Sequence, residues 1–158
     1  YTYNIGNDFR EDLLILLQDN LDLIGITIRE QRWYFSWPWG GPPIGYDWSR
    51  LELYWIGWGS DYLSPFNMLV PLFSNKSASN GCHYHNHDVE MWLEQVLQEL
   101  NAVTRQMLYS NILHQIVEVD MPHAFGYHPY SHSVHSADIH GVPYNSLGNL
   151  YIYPIYRA

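Results

Sequence analysis

Residues 1–31 read YTYNIGNDFREDLLILLQDNLDLIGITIREQ, and the periodicity of this stretch decides the fold class. Residues 1–5 alternate weakly between two faces, as a strand does. Gly6, Asn7 and Asp8 are turn and cap chemistry, and Asp8 or Asn7 can accept a hydrogen bond from the free N–H groups that open a helix. The helix is predicted over about residues 9–20, with Glu11 and Asp12 favourable at its positive end. Leu13, Leu14, Leu17 and Leu21 recur at helical spacing and form the stripe to be buried. Gly25 breaks the pattern, and residues 26–31 alternate as a second strand. Strand, helix and strand in succession make the repeating unit of an α/β layer.

Downstream of this unit the texture changes. Residues 32–49 hold Trp33, Trp37, Pro38, Trp39, Gly40, Gly41, Pro42 and Pro43, and read as an irregular, lid-like loop. Residues 51–58 are apolar and aromatic apart from Glu52, and are expected to form a buried strand. Pro65 suits the first turn of a helix reaching about residue 73, and SNKSASNG over residues 74–81 is a polar loop. Asp88 is the expected cap of a helix to about residue 100, with Met91, Trp92, Leu93, Val96, Leu97 and Leu100 mostly on one side. Asn101 opens another helix to about residue 119, with Leu108, Ile112 and Ile116 as its stripe and Met107, Leu113 and Val117 beside them. Met121-Pro122 stops it, because the residue before a proline avoids helical torsions. Residues 123–127, 132–135 and 151–156 read as short strands, with turns at Pro129 and over residues 141–150.

Composition narrows the function. The chain has 158 residues, 47% hydrophobic and 15% charged, enough for one domain with a core. It carries 14 Tyr, 7 Trp and 5 Phe, residues that serve a gripping surface as well as a core. Net charge is −9 with 7 Lys+Arg, so the basic footprint of a nucleic-acid binder or an anionic-membrane binder is absent, while cationic ligands suit the field. The single cysteine, Cys82, excludes an internal disulfide and a CxxC zinc framework. The first residues lack the basic and apolar regions of a signal peptide, and no apolar run approaches a membrane span. The chain opens abruptly in strand-like sequence, as expected of a fragment or a cut domain.

IGWGSDYLSP, residues 56–65, resembles the G-W-x-x-D-Y-x-D-P segment of the family-5 extracellular solute-binding proteins, the oligopeptide, dipeptide and nickel-type binding proteins of ABC importers. Further similarities follow in the family's order. NGCHYHNH, residues 80–87, is similar to its N-x-x-x-Y-x-N-P stretch, and Arg105 with Leu108-Tyr109 looks like its A-R-x-x-L-Y helix. Met121-Pro122 with Tyr127-His128-Pro129, then Gly141-Val142-Pro143-Tyr144-Asn145, resemble two later segments, and residues 1–8 resemble the opening of the lobe after the hinge. Ser64 replaces the second acid of the first segment, Ser146 stands where the family often has proline, and His87 stands near the proline of N-P. The resemblance spans nearly the whole chain. It implies an α/β fold: one lobe, residues 1–158, of a two-lobed periplasmic-binding-protein-like fold of type II, class C, with a mixed sheet flanked by helices. This would be the C-terminal lobe, with the N-terminal lobe and the signal or lipoprotein segment outside the chain.

The same resemblance implies a substrate-binding component of an ABC importer, periplasmic or extracellular, held at the membrane through the transporter permease or a lipid anchor not in this chain. It implies peptide capture in the cleft between lobes, with no cofactor, and carries to Asp61 the role of pairing the ligand's α-ammonium. An ammonium that loses its water needs a carboxylate and hydrogen bonds in return. Alternatively Asp61 caps the helix at Pro65. Trp58 would wall the cleft or serve as a core tryptophan; Tyr62 would pack behind the site; Trp33 and Trp37 would line the cleft or simply pack. His83, His85 and His87 would share a face if extended, a possible metal site with Asp88, although such a run is more often a solvated loop. Cys82 lies beside His83 and His85 as a conceivable thiol–imidazole pair. No nucleophile elbow or phosphate loop is present, so the chain is expected not to be an enzyme. An oligosaccharide or metal-chelate ligand, or a lobe fragment that binds nothing, are the other readings.

Overall fold

The computed structural model describes residues 1–33, 51–55, 57–128, 130, 132–144, 147 and 151–158. The chain divides into two units, Tyr1–Trp58 and Gly59–Ala158.

In the first unit, β1 (Thr2–Asn4) leads through α1 (Asp8–Asp22) to β2 (Gln31–Trp33), which pairs parallel to β1 with Thr2 opposite Gln31. Tyr54 forms a parallel bridge to Thr2, and the Thr2 N–H donates to the Leu53 carbonyl at 2.8 Å. Asn7, not Asp8, caps α1: its Oδ1 accepts from the Arg10 N–H at 3.1 Å. The side chains of Tyr1, Tyr3 and Leu14 are buried together, flanked by Leu13, Leu17, Ile28 and Trp55.

The second strand lies later than its alternation predicts. A parallel partner must begin level with the start of β1, yet α1 has carried the chain about 22 Å along its axis at 1.5 Å per residue. Gly25, with φ +80°, reverses the path, and residues 26–30 are used in the return. Only at Gln31 does the ladder start, its N–H donating to the Tyr1 carbonyl at 2.9 Å. The buried strand expected over residues 51–58 is also corrected. Among the described residues of that stretch Tyr54 alone forms a bridge, and Glu52 and Leu53 are exposed, because a three-residue β1 offers little edge to pair with. The loop expected over residues 32–49 lies, from residue 34 onward, outside the described residues.

Tyr3 ties the layer to its surroundings. Its hydroxyl donates to Glu30, and Arg32 bridges Glu30 at 2.6 Å and Glu11 at 2.9 Å. Burial, reinforced by the Glu30 hydrogen bond, pushes the Tyr3 phenol up to about 12. A raised folded-state value favours the protonated form, so this contribution to stability is full below pH 10, the ordinary tyrosine value, and is lost as pH rises through about 12. An ultraviolet titration should therefore show a late-ionising tyrosine that disappears in Tyr3→Phe. A titration curve unchanged by that substitution would contradict the assignment.

The second unit is helical at its centre. α2 (Pro65–Phe73) has proline in its first turn, as the sequence predicts, and starts at a Ser64 cap, which the sequence reading did not name. α3 (His87–Gln98) is capped by Asn86, whose Oδ1 accepts from the N–H groups of Asp88 at 2.9 Å and Val89 at 3.2 Å. Asp88, the expected cap, instead sits in the first turn, where its charge suits the helix dipole. α4 (Ala102–His114), capped by Asn101, continues as a π-helix over Gln115–Asp120 and ends at Met121, which is left-handed at φ +41°. The core joins Leu69, Phe73, Tyr84, Val89, Leu93, Val96, Ile112 and Ile116, with Leu108 and Trp92 packed against it. The expected apolar stripes are narrower than their composition suggests. Met91, Leu97 and Leu100, like Met107, Leu113 and Val117, stay exposed.

β3 (Ile139–His140) and β4 (Tyr156–Arg157) pair antiparallel. Gly141 is required beside them, because φ is +72° and a Cβ would meet the Pro154 carbonyl oxygen at 2.1 Å. The described residues of 123–127 and 132–135 form no strands, and the last strand is shorter than the expected 151–156. The structure is thus α/β, with helices and two small two-stranded sheets among the described residues instead of one mixed sheet. Strand propensity needs a partner edge to be realised, and local alternation does not supply one.

Candidate functional site

The loop before α2 presents the carboxylate that the sequence singles out. Asp61 is exposed, and so are Tyr62 and Leu63. The loop is fastened from within by Asn67, which is buried at 8% exposure in the first turn of α2. Asn67 Oδ1 accepts from the Asp61 N–H at 2.8 Å, and the Ser60 hydroxyl lies 3.0 Å from the same oxygen. Asn67 Nδ2 faces Asp61 Oδ2 at 3.4 Å. The Ser60 hydroxyl also reaches the Tyr62 carbonyl at 2.6 Å, which accepts from the Ser64 N–H at 2.8 Å.

The two roles open to Asp61 are separated by this geometry. Ser64 is the helix cap, its Oγ accepting from the Phe66 N–H at 3.2 Å. The residue in place of the family's second acid therefore does the capping, and Asp61 does not. What remains at Asp61 is an exposed carboxylate on a fixed backbone, able to accept hydrogen bonds from a cationic donor.

The other expected site residues are placed as follows. Trp58 belongs to the first unit and is half-buried, and its indole N–H is buried without a hydrogen-bond partner among the described residues. Trp33 contributes backbone to β2 opposite Asn4. Trp37 lies outside the described residues.

The histidine run does not form an extended face. His83 is left-handed at φ +55°, His87 begins α3, and His85 Nδ1 lies 2.9 Å from Asn75 Nδ2. No group of three His, Cys, Asp or Glu among the described residues could hold a metal ion. Cys82 pairs with neither His83 nor His85. Its thiol lies 3.3 Å from His123 Nε2 and 3.4 Å from Asn80 Oδ1. Burial lowers the His123 pKa, and Phe73 packs edge-on against its ring at 5.5 Å. The imidazole and the thiol are thus within hydrogen-bond reach, with the thiol proton directed to Asn80 Oδ1.

A second polar cluster escaped the sequence reading. Asp120, at the end of the π-helix, accepts from the Tyr84 hydroxyl at 2.6 Å, Asn86 Nδ2 at 2.8 Å and Gln115 Nε2 at 2.9 Å. These bonds, that of Tyr84 foremost, hold its carboxyl below the ordinary value, while burial and Asp120 together raise the Tyr84 phenol. Asn67 escaped as well. Its signal was present, since it is the lone polar residue of PFNMLVPLF, and a polar side chain inside an apolar helix needs a partner.

The chain is similar to the oligopeptide-binding protein AppA of Bacillus subtilis (strain 168), with 25% identity over 158 residues that cover 94% of this chain and 27% of that protein. It thus spans about a quarter of the relative's length. That relative is a binding protein and not an enzyme, in agreement with the non-enzymatic reading of the sequence. No family model matches the chain. No solved structure matches it. No helix among the described residues is long and apolar enough to cross a membrane.

Proposed function

We propose that this chain is the C-terminal lobe of a two-lobed solute-binding protein that delivers peptides to an ABC importer outside the cytoplasm. Asp61 pairs the α-ammonium of the bound peptide. The observation that carries this reading is the exposed Asp61 carboxylate on a loop secured from below, with the capping duty taken by Ser64. The likeness to an oligopeptide-binding protein supports the ligand class. The physical logic is that a peptide amine entering a closing cleft sheds water, and a carboxylate already held in place replaces it at little further cost in ordering. The chain's net charge of −9 favours the approach of a cation.

The test belongs in the protein that holds both lobes, using peptides with a free or an acetylated N-terminus. Asp61→Ala is expected to weaken free-amine peptides at least about tenfold, or about 1.4 kcal/mol, and to leave acetylated peptides unchanged. Equal affinity of the unsubstituted protein for both peptides would remove the amine from Asp61. Oligosaccharide binding that ignores peptides would point to the other ligand class.

A further inference from the structure

We infer that Asn67 is the positioning residue of this site, setting its preference for a free amine by holding Asp61; the inference rests on the amine reading above. Asn67 is the third residue of α2, and Ser64 is the cap. In a capping box the third residue reaches back to the cap's own N–H. Here the side chain reaches three residues further, to the N–H of Asp61 at 2.8 Å. One buried amide therefore does two things. Its oxygen fixes the Asp61 backbone, with the Ser60 hydroxyl 3.0 Å from the same atom, and its NH2 group faces Asp61 Oδ2 at 3.4 Å. With Oδ2 turned toward Asn67, Oδ1 is left to meet a ligand.

The chemistry of the loop fits a donor ligand. The Asp61 N–H and the Ser60 hydroxyl are both directed to acceptors within the unit. The carboxylate is an acceptor only, so a primary ammonium is matched and an acetylated nitrogen, with one N–H and no charge, is matched poorly. Alanine at position 67 leaves the Asp61 N–H without its partner and lets the carboxylate turn. Aspartate keeps the accepting oxygen but loses the donor and sets a second carboxylate against Asp61 Oδ2. Asn67→Asp should therefore keep the bond to the Asp61 N–H, which Asn67→Ala loses, but not the orientation of the carboxylate.

Two measurements test this. In the 158-residue chain, the Asp61 amide should exchange with solvent at least about tenfold more slowly than an unprotected amide, lose that protection in Asn67→Ala and regain it in Asn67→Asp. In the two-lobed protein, Asn67→Ala should reduce the affinity ratio of trialanine to N-acetyl-trialanine about fivefold or more, with the acetylated peptide unaffected. An unprotected Asp61 amide in the unsubstituted chain overturns the inference even if Asn67→Ala does not fold. So does an unchanged ratio in a folded Asn67→Ala protein in which Asp61→Asn still abolishes the preference. A ratio unmoved by Asp61→Asn overturns the amine reading itself, and with it the preference assigned to Asn67.

Discussion

Ile112→Ala is expected to destabilise the second unit by about 2–5 kcal/mol, the range for truncating a fully enclosed aliphatic side chain. Ile112 is wholly buried on α4 and belongs to the same core as Val89, Leu93 and Val96 of α3 and Ile116 of the π-helix. The loss has two parts. The removed methylene and methyl groups forfeit their transfer free energy, and the space they leave is only partly refilled, because packed helices move little. Total stabilities are about 5–15 kcal/mol, so the loss is a large share of the whole. Urea unfolding would show a lower midpoint at unchanged slope. Met107→Ala, on the same helix but 62% exposed, should change stability by less than about 0.5 kcal/mol. Similar losses at the two positions would mean that the core is drawn wrongly.

Asn80→Ala is expected to cost about 2–4 kcal/mol through a different mechanism. Asn80 is buried at 6% exposure and stitches the turn before α3. Its Nδ2 donates to the carbonyls of Tyr84 at 2.8 Å and Ser74 at 3.2 Å, and its Oδ1 accepts from the Tyr84 N–H at 3.1 Å. The Ser74 carbonyl keeps another donor, the Ser77 N–H at 3.0 Å. The two main-chain groups of Tyr84 lose the bonds that Asn80 gives them, and each such loss in a buried position costs about 1–3 kcal/mol. The damage should spread to the Tyr84 hydroxyl and thus to Asp120. Asn80→Asp keeps the accepting oxygen and is expected to lose less where its carboxyl stays protonated, so its deficit should shrink on acidification. A loss below about 1 kcal/mol for Asn80→Ala would show that water replaces the side chain at little cost.

How much of this was legible beforehand differs by element. The helices were readable because their determinants are local: Asn101 and its following N–H groups, Pro65, and leucines a turn apart in α1 all lie within a few residues. The cap of α1 was one of the two residues offered, Asn7, and that of α3 fell two residues early, at Asn86 instead of Asp88, where neighbouring side chains compete for the same N–H groups. Strands were read poorly. The alternation of Ile26 and Ile28 looked like a strand, yet pairing fell at Gln31 because the position of β1 decides it.

The candidate site divides in the same way. Asp61 and Trp58 stood out in the sequence as an acid and an indole at the end of an apolar segment. The grip of Asn67 on Asp61, the approach of His123 to Cys82 across 41 residues and the convergence of Tyr84, Asn86 and Gln115 on Asp120 did not. Sequence alone determined where this chain turns helical and which functions its charge disfavours, because those properties belong to single residues and their near neighbours. Tertiary structure decided which strands exist, which histidine meets the thiol and what holds Asp61 in place. Each of those depends on a polar group finding its partner only after the chain has folded back on itself.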